Sequence, residues 1–179
     1  MKLSDAAEAK YRKQDYTQRR APIQGVEIVE LRRWHDDGGS MTELGRLVEG
    51  RLEGLGGFSL AQINYSTLEP GGIKAFHVHR IQTDVWFVPP DDRVLLVLAD
   101  VRKGSLTEGG RMRIVLGDTR SLLVRIPPGV AHGCRNLGQS TARIVYFTDL
   151  PFSAEPETTD EGRLPWDFLG PDVFDLVRD

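Results

Sequence analysis

The chain has 179 residues, of which 40% are hydrophobic and 27% charged, and 23 Lys and Arg stand against 26 Asp and Glu for a net charge of −3. That is the composition of one ordinary globular domain, which excludes disordered, collagen-like and coiled-coil classes and gives no electrostatic reason to expect a nucleic acid or an anionic membrane as partner. No apolar run approaches the ~18 residues of a membrane span, no hydrophobic signal segment follows Met1, and the single cysteine, Cys134, leaves no internal disulfide or multi-thiolate zinc site, so a cytoplasmic protein acting on a small molecule is expected.

Residues 4 to 14 are read as a short helix capped by Ser4, and residues 1–24 as a polar N-terminal arm that leads into a domain covering 25–179. From Val26 onward, short runs of Val, Ile, Leu, Phe and Tyr alternate with Gly, Pro and Asp clusters. Strands are expected near 26–34, 40–48, 58–68, 73–80, 84–88, 93–102, 111–116, 122–126 and 142–149. Explicit turns separate them, among them Asp36-Asp37-Gly38-Gly39, Pro70-Gly71-Gly72, Pro89-Pro90-Asp91-Asp92 and Pro127-Pro128-Gly129. So many strands in one domain require two packed sheets or a barrel, and no segment is suited to a helical βαβ crossover. After Asp149 comes a Pro- and acid-rich tail, and residues 170–179 are read as a short C-terminal helix.

Polar residues interrupt the apolar pattern at defined places. His77 and His79 lie two apart on one predicted strand, so both imidazoles leave the same face. His132 follows directly on the Pro127-Pro128-Gly129 turn, and the two segments are suited to be neighbours in one barrel. Three imidazoles in one cavity are not a solution to core packing, whereas the fourth, His35, belongs to a surface turn. A solvated strand face remains the plain alternative for such polar residues, Gln62 and Asn64 included.

Gly71, His77-Val78-His79 and Asp84 resemble the first cupin motif, and Pro127, Gly129, His132 and Asn136 resemble the second. Further segments are similar in order to those of the dTDP-4-dehydrorhamnose 3,5-epimerases: Asp36 to Glu43, Phe58 to Ser66, Lys74 to His77, Asp100 to Ser105, Pro127 to Gly133, Tyr146 to Asp149 and Glu161 to Asp167. The resemblance implies an all-β fold, a cupin-type double-stranded β-helix or jelly-roll barrel, in a homodimer. It implies a metal-independent isomerase without cofactor, acting on a nucleotide-linked 4-keto-6-deoxy sugar.

In such an enzyme His77 is the base that removes the proton next to the ketone, and Tyr146 is the acid on the other face. An imidazole is neutral and basic near pH 7, and a phenol stays protonated until it donates. Lys74, His132, Gln62, Asn64 and Arg135 are the expected substrate contacts. The family's turn arginine is Gly38 here, its R-G-L-H arginine is Lys74, and its later lysine falls at Asp84 or beside it, so cationic charge has been removed. The aspartate partner of the base has no matching position, which leaves Asp172 or Asp175 as substitutes. Three alternatives stand beside the epimerase. His77, His79, Asp84 and His132 form a three-histidine, one-carboxylate set able to hold Fe, Mn, Ni or Zn, provided a bend turns Asp84 toward the others. A 3,4-ketoisomerase also uses a histidine pair two apart, although the tail at Glu161 argues against it. A barrel that binds sugars without catalysis is the third.

Overall fold

The computed structural model describes residues 2–13 and 22–176. Two five-stranded antiparallel sheets face each other. The first runs β1 (Glu27–Glu30), β11 (Leu122–Ile126), β8 (Asp84–Phe87), β13 (Ala142–Thr148), β6 (Gln62–Leu68); the second runs β10 (Arg111–Gly117), β9 (Arg93–Asp100), β12 (Val130–Asn136), β7 (Ile73–His79), β14 (Glu161–Arg163). Two hairpins, β2 (Arg33–Asp36) with β3 (Gly39–Thr42) and β4 (Leu47–Val48) with β5 (Arg51–Leu52), lie outside them. The two packed sheets expected from strand and turn spacing are present, and the jelly-roll architecture that the resemblance implied holds.

The core explains why central strands read as unbroken apolar runs. On β9, Val94, Leu96 and Leu98 enter the main core between the sheets with Leu116, Val124, Ile126 and Ile144. Leu95, Val97 and Ala99 face outward into a second cluster with Phe76, Ala131 and Phe174. Both faces of β9 are therefore covered, one by the opposite sheet and one by the C-terminal segment. A third cluster, around Leu55, Phe58, Phe87 and Phe147, covers the outer face of the first sheet.

Several boundaries differ from expectation. The helix after Ser4 is only α1 (Asp5–Glu8), with no buried residue and no side-chain cap from Ser4, since an exposed segment this short gains nothing from packing; residue 14 lies outside the described residues. Ile23 is buried in the main core, so the domain begins within the segment read as arm. The run 26–34 breaks where β11 ends its pairing at Glu30↔Leu122, and 33–42 turns back on itself with Asp36 Oδ1 accepting the Gly38 N–H at 2.8 Å.

Residues 130–136, outside the expected strand ranges although their segment was expected to neighbour that of His77, form β12 at the centre of the second sheet, paired over its length with β9 and on its other side with β7. Its Gly133 is required, because a Cβ there would meet the Ala75 side chain at 2.4 Å. Over 170–176 turns stand where the C-terminal helix was expected, and residues 177–179 lie outside the described residues. Arg113 donates to the carbonyl oxygens of Val173 and Asp175, and Arg135 to that of Phe174, so these oxygens are held by side chains rather than by helical N–H groups.

One buried carboxylate at the end of β9 ties down the loop that leads to β10. Asp100 accepts from Arg102 Nε at 2.8 Å, Ser105 Oγ at 2.6 Å and Thr107 Oγ1 at 2.6 Å. The Arg102 hydrogen bond, helped by the two hydroxyls and opposed by burial, holds its carboxyl well below the usual carboxylate range. A group whose pKa is depressed on folding stabilises the native state above its unfolded pKa of about 4, and that contribution is lost as pH falls. Asp100→Asn is expected to cost about 2–4 kcal/mol at pH 7 and to flatten the acid limb of stability against pH, read from urea midpoints between pH 7 and 3.

Candidate active site

A cavity of about 600 Å³ opens between the two sheets, a volume typical of small-molecule sites. Strand alternation decides what enters it. On β6 the residues at 62, 64 and 66 face inward while Ile63, Tyr65 and Thr67 face out, which brings Gln62, Asn64 and Ser66 to one wall. Tyr146 on β13 stands in register with Asn64 on one side and Trp86 on the other, so the three share that wall. The facing wall is built by the second sheet, where His132, His77 and Arg163 align across β12, β7 and β14.

A register shift between His132 and Cys134 lets Lys74 line the cavity although it precedes His77 by an odd number of residues. Lys74 Nζ donates to Ser66 Oγ and the Thr67 carbonyl, both at 2.9 Å and both neutral.

The partner of His77 is neither Asp172 nor Asp175. Glu161 Oε1 lies 3.2 Å from His77 Nδ1, because β14 pairs antiparallel with β7 and places Glu161 opposite His79, diagonal to His77. Asp175 instead pairs with Arg135 on the outer face at 3.0 Å, and Asp172 lines a separate outer pocket. Glu161 also holds Arg163 at 2.8 Å. An Nδ1–H donated to Glu161 leaves Nε2 as the basic atom of His77. Burial first, then the charges of His132 and Arg163, push His77 down to about 4 against the opposing pull of Glu161, so its ring is neutral at neutral pH.

Beneath His77, Asp84 is reached by His132 Nε2 at 3.5 Å and His79 Nε2 at 3.9 Å. Burial alone would raise the Asp84 carboxyl; the hydrogen bond and charge of His132, with His79 and Gln82, override it and hold it at about 2. The required bend is present: β7 ends at His79 and Asp84 opens β8 in the other sheet. Asp160 latches that bend by accepting the N–H groups of Arg80, Ile81 and Gln82. Of the four residues proposed to bind metal, His79, Asp84 and His132 converge, and His77 is held apart on Glu161. Tyr146 is raised by burial and by the nearby Asp84 and Glu161 carboxylates, which keeps the phenol protonated. Burial pushes Cys134 up to about 12, so its thiol is no nucleophile at neutral pH.

Two expected substrate contacts are otherwise engaged. Arg135 points away from the cavity, since Cys134 on β12 lines the cavity and its neighbour faces out, where Arg135 binds the C-terminal segment. Gln62 donates to Asn64 at 2.6 Å and accepts from the Phe152 N–H at 2.8 Å, which anchors the segment over the cavity mouth. Glu161, Arg163, Gln82 and Trp86 were not among the sequence candidates, and only the alternation of Glu161 and Arg163 in the tail could have flagged the first two.

The sequence profile of dTDP-4-dehydrorhamnose 3,5-epimerase matches residues 20–166. The chain belongs to the dTDP-4-dehydrorhamnose 3,5-epimerase family. That family is one of carbohydrate epimerases, and the protein is a carbohydrate epimerase by family. It is 41% identical over 145 residues to the spore coat polysaccharide biosynthesis protein SpsL of Bacillus subtilis, covering 81% of this chain and 91% of that protein. Among solved structures of the family, a dTDP sugar isomerase from Desulfovibrio desulfuricans superposes with a TM-score of 0.71 at 29% identity, over 82% of this chain and 88% of that one. The dTDP-6-deoxy-D-glucose-3,5-epimerase of Legionella pneumophila, determined with dTDP-4-keto-L-rhamnose, gives 0.71 at 25% identity over 86% and 78%.

Proposed function

We propose that the protein epimerises a nucleotide-linked 4-keto-6-deoxy sugar at a carbon next to the ketone. The observation that carries this reading is the placement of His77, backed by Glu161, and Tyr146 on opposite walls of one cavity. His77 Nε2 takes the proton from the carbon acid, and the C–H electron pair moves into the bond to C4 while the ketone oxygen becomes an enolate. Tyr146 then gives its phenolic proton to the opposite face of that carbon, which inverts the centre. Solvent returns a proton to the tyrosinate and accepts the one held by His77. Neither transfer passes through a cofactor.

Lys74, which has no anionic partner among the described residues, and Arg163 at the cavity rim are the cations suited to a diphosphate, with Asn64 as a neutral contact. Glu161 acts through His77 by fixing its tautomer. Glu161→Gln keeps an acceptor but loses the charge, so kcat is expected to fall about 10²-fold with KM little changed, measured by steady-state kinetics. For the reaction itself, incubation with a dTDP-4-keto-6-deoxyhexose, borohydride reduction, hydrolysis and chromatography should yield a hexose inverted at C3 or C5. Recovery of the starting configuration alone would contradict the proposal.

A homodimer fits the exposed outer face of the edge strand β6, where Ile63 and Tyr65 are 58% and 65% accessible, an edge with no further strand beside it among the described residues and suited to a second copy. A cytoplasmic site of action fits the free, buried Cys134; among the described residues no helix is long and apolar enough to cross a membrane.

A further inference from the structure

The floor of the cavity carries three polar groups that the two proton transfers leave unused. His79, Asp84 and His132 are 8%, 3% and 2% accessible, yet all three line the cavity. Each imidazole turns Nδ1 to a main-chain oxygen, His79 to Asp160 at 3.1 Å and His132 to Val130 at 3.2 Å. A carbonyl only accepts, so each Nδ1 donates outward and each Nε2 is the ring atom turned to the carboxylate, where an ion displaces any proton it carries.

Both Nε2 atoms face the Asp84 carboxylate, one at each oxygen, and the three ligand atoms lie within 4.8 Å of one another. An ion held at roughly 2.0–2.2 Å by each ligand keeps its ligand atoms about 3–4.4 Å apart, so a set already within 4.8 Å needs only small side-chain rotations to share one ion through a single carboxylate oxygen. The outer hydrogen bonds are also those of a built site. Backbone carbonyls orient both imidazoles, while Gln82 Nε2 at 2.7 Å and Trp86 Nε1 at 3.2 Å orient the carboxylate.

We propose that His79, Asp84 and His132 bind one divalent transition-metal ion through two imidazole nitrogens and one carboxylate oxygen, with an open position toward the cavity. Imidazole with carboxylate suits zinc, iron, manganese, nickel or cobalt better than calcium or magnesium. His77 is outside the set, its Nδ1 being held by Glu161, so base and ion coexist. The role of the ion rests on the proposed epimerase reading: one carboxylate against a divalent ion leaves a net positive charge beside the carbon acid, where an enolate oxygen develops negative charge.

The test uses the full-length, tag-free protein, treated with chelator and titrated with Co(II), followed by visible absorption and calorimetry, with Zn(II) as competitor. One cobalt per chain is expected, with the intense visible bands of a low-coordinate ion, and zinc displaces it. His79→Gln and Asp84→Asn should weaken binding by more than the roughly 10–100-fold that loss of an outer hydrogen-bond partner costs, while His77→Gln leaves it within about threefold. The wild-type titration stands even where a variant fails to fold. Absence of stoichiometric cobalt binding, or equal binding by folded Asp84→Asn, overturns the site. Solvent-deuterium exchange into substrate is measured separately on the protein as isolated. Exchange without cobalt binding overturns the metal site alone, and cobalt binding without exchange overturns the epimerase reading and the ion's role in it while upholding the site.

Discussion

His77→Asn is expected to slow deuterium exchange at the carbon next to the ketone by about 10²–10⁴-fold, the usual worth of a positioned general base. Asparagine occupies similar volume and can still donate to Glu161, so the cavity keeps its shape while the basic nitrogen is gone. The side chain lies at the cavity wall rather than in an apolar cluster, and Phe76, the neighbour that fills the outer cluster, is untouched. The loss should therefore fall on kcat, with affinity for dTDP unchanged by calorimetry and the unfolding midpoint close to wild type. Exchange within tenfold of wild type would remove His77 from the role of base.

Tyr146→Phe separates the two halves of the reaction. Burial and the neighbouring carboxylates keep the Tyr146 phenol protonated, so it acts as a donor, and only its hydroxyl is removed by the substitution. His77 can still abstract the proton and return a deuteron to the same face, so exchange continues while inversion falls by about 10²–10⁴-fold. Proton NMR in D₂O reads both quantities from one sample: loss of the ring proton signal counts exchange, and new coupling constants count the epimer. Inversion at the wild-type rate in Tyr146→Phe would mean that another group delivers the proton.

Much of the site was legible because strand geometry converts spacing into direction. His77 and His79 two apart, and Gln62 and Asn64 two apart, enter the cavity together, and the turn before His132 fixes its approach. What the sequence hid is set by pairing between distant segments. Nothing local announces that β14 lies beside β7, so Glu161 went unrecognised as the partner of His77. Residues 130–136 hold glycine, arginine and asparagine, a poor strand by propensity, yet the apolar β9 beside them and the open space that Gly133 leaves for Ala75 make them central. That placement also decides Arg135, whose position next to His132 in sequence suggested the cavity and whose strand parity sends it outward. The C-terminal segment has helical composition, but Arg113 and Arg135 take its carbonyl oxygens and Phe174 docks on Phe76 with ring centroids 5.4 Å apart, so tertiary contacts override local preference.

The central claim is proton abstraction from a carbon next to a sugar ketone inside this cavity. Its most direct test is proton NMR of a dTDP-4-keto-6-deoxyhexose incubated in D₂O with the protein as isolated, with His77→Asn run in parallel. Deuterium entering at C3 or C5 with wild type, and at least about 10²-fold more slowly with His77→Asn, is the predicted result. No exchange with folded wild-type protein that binds dTDP would contradict it.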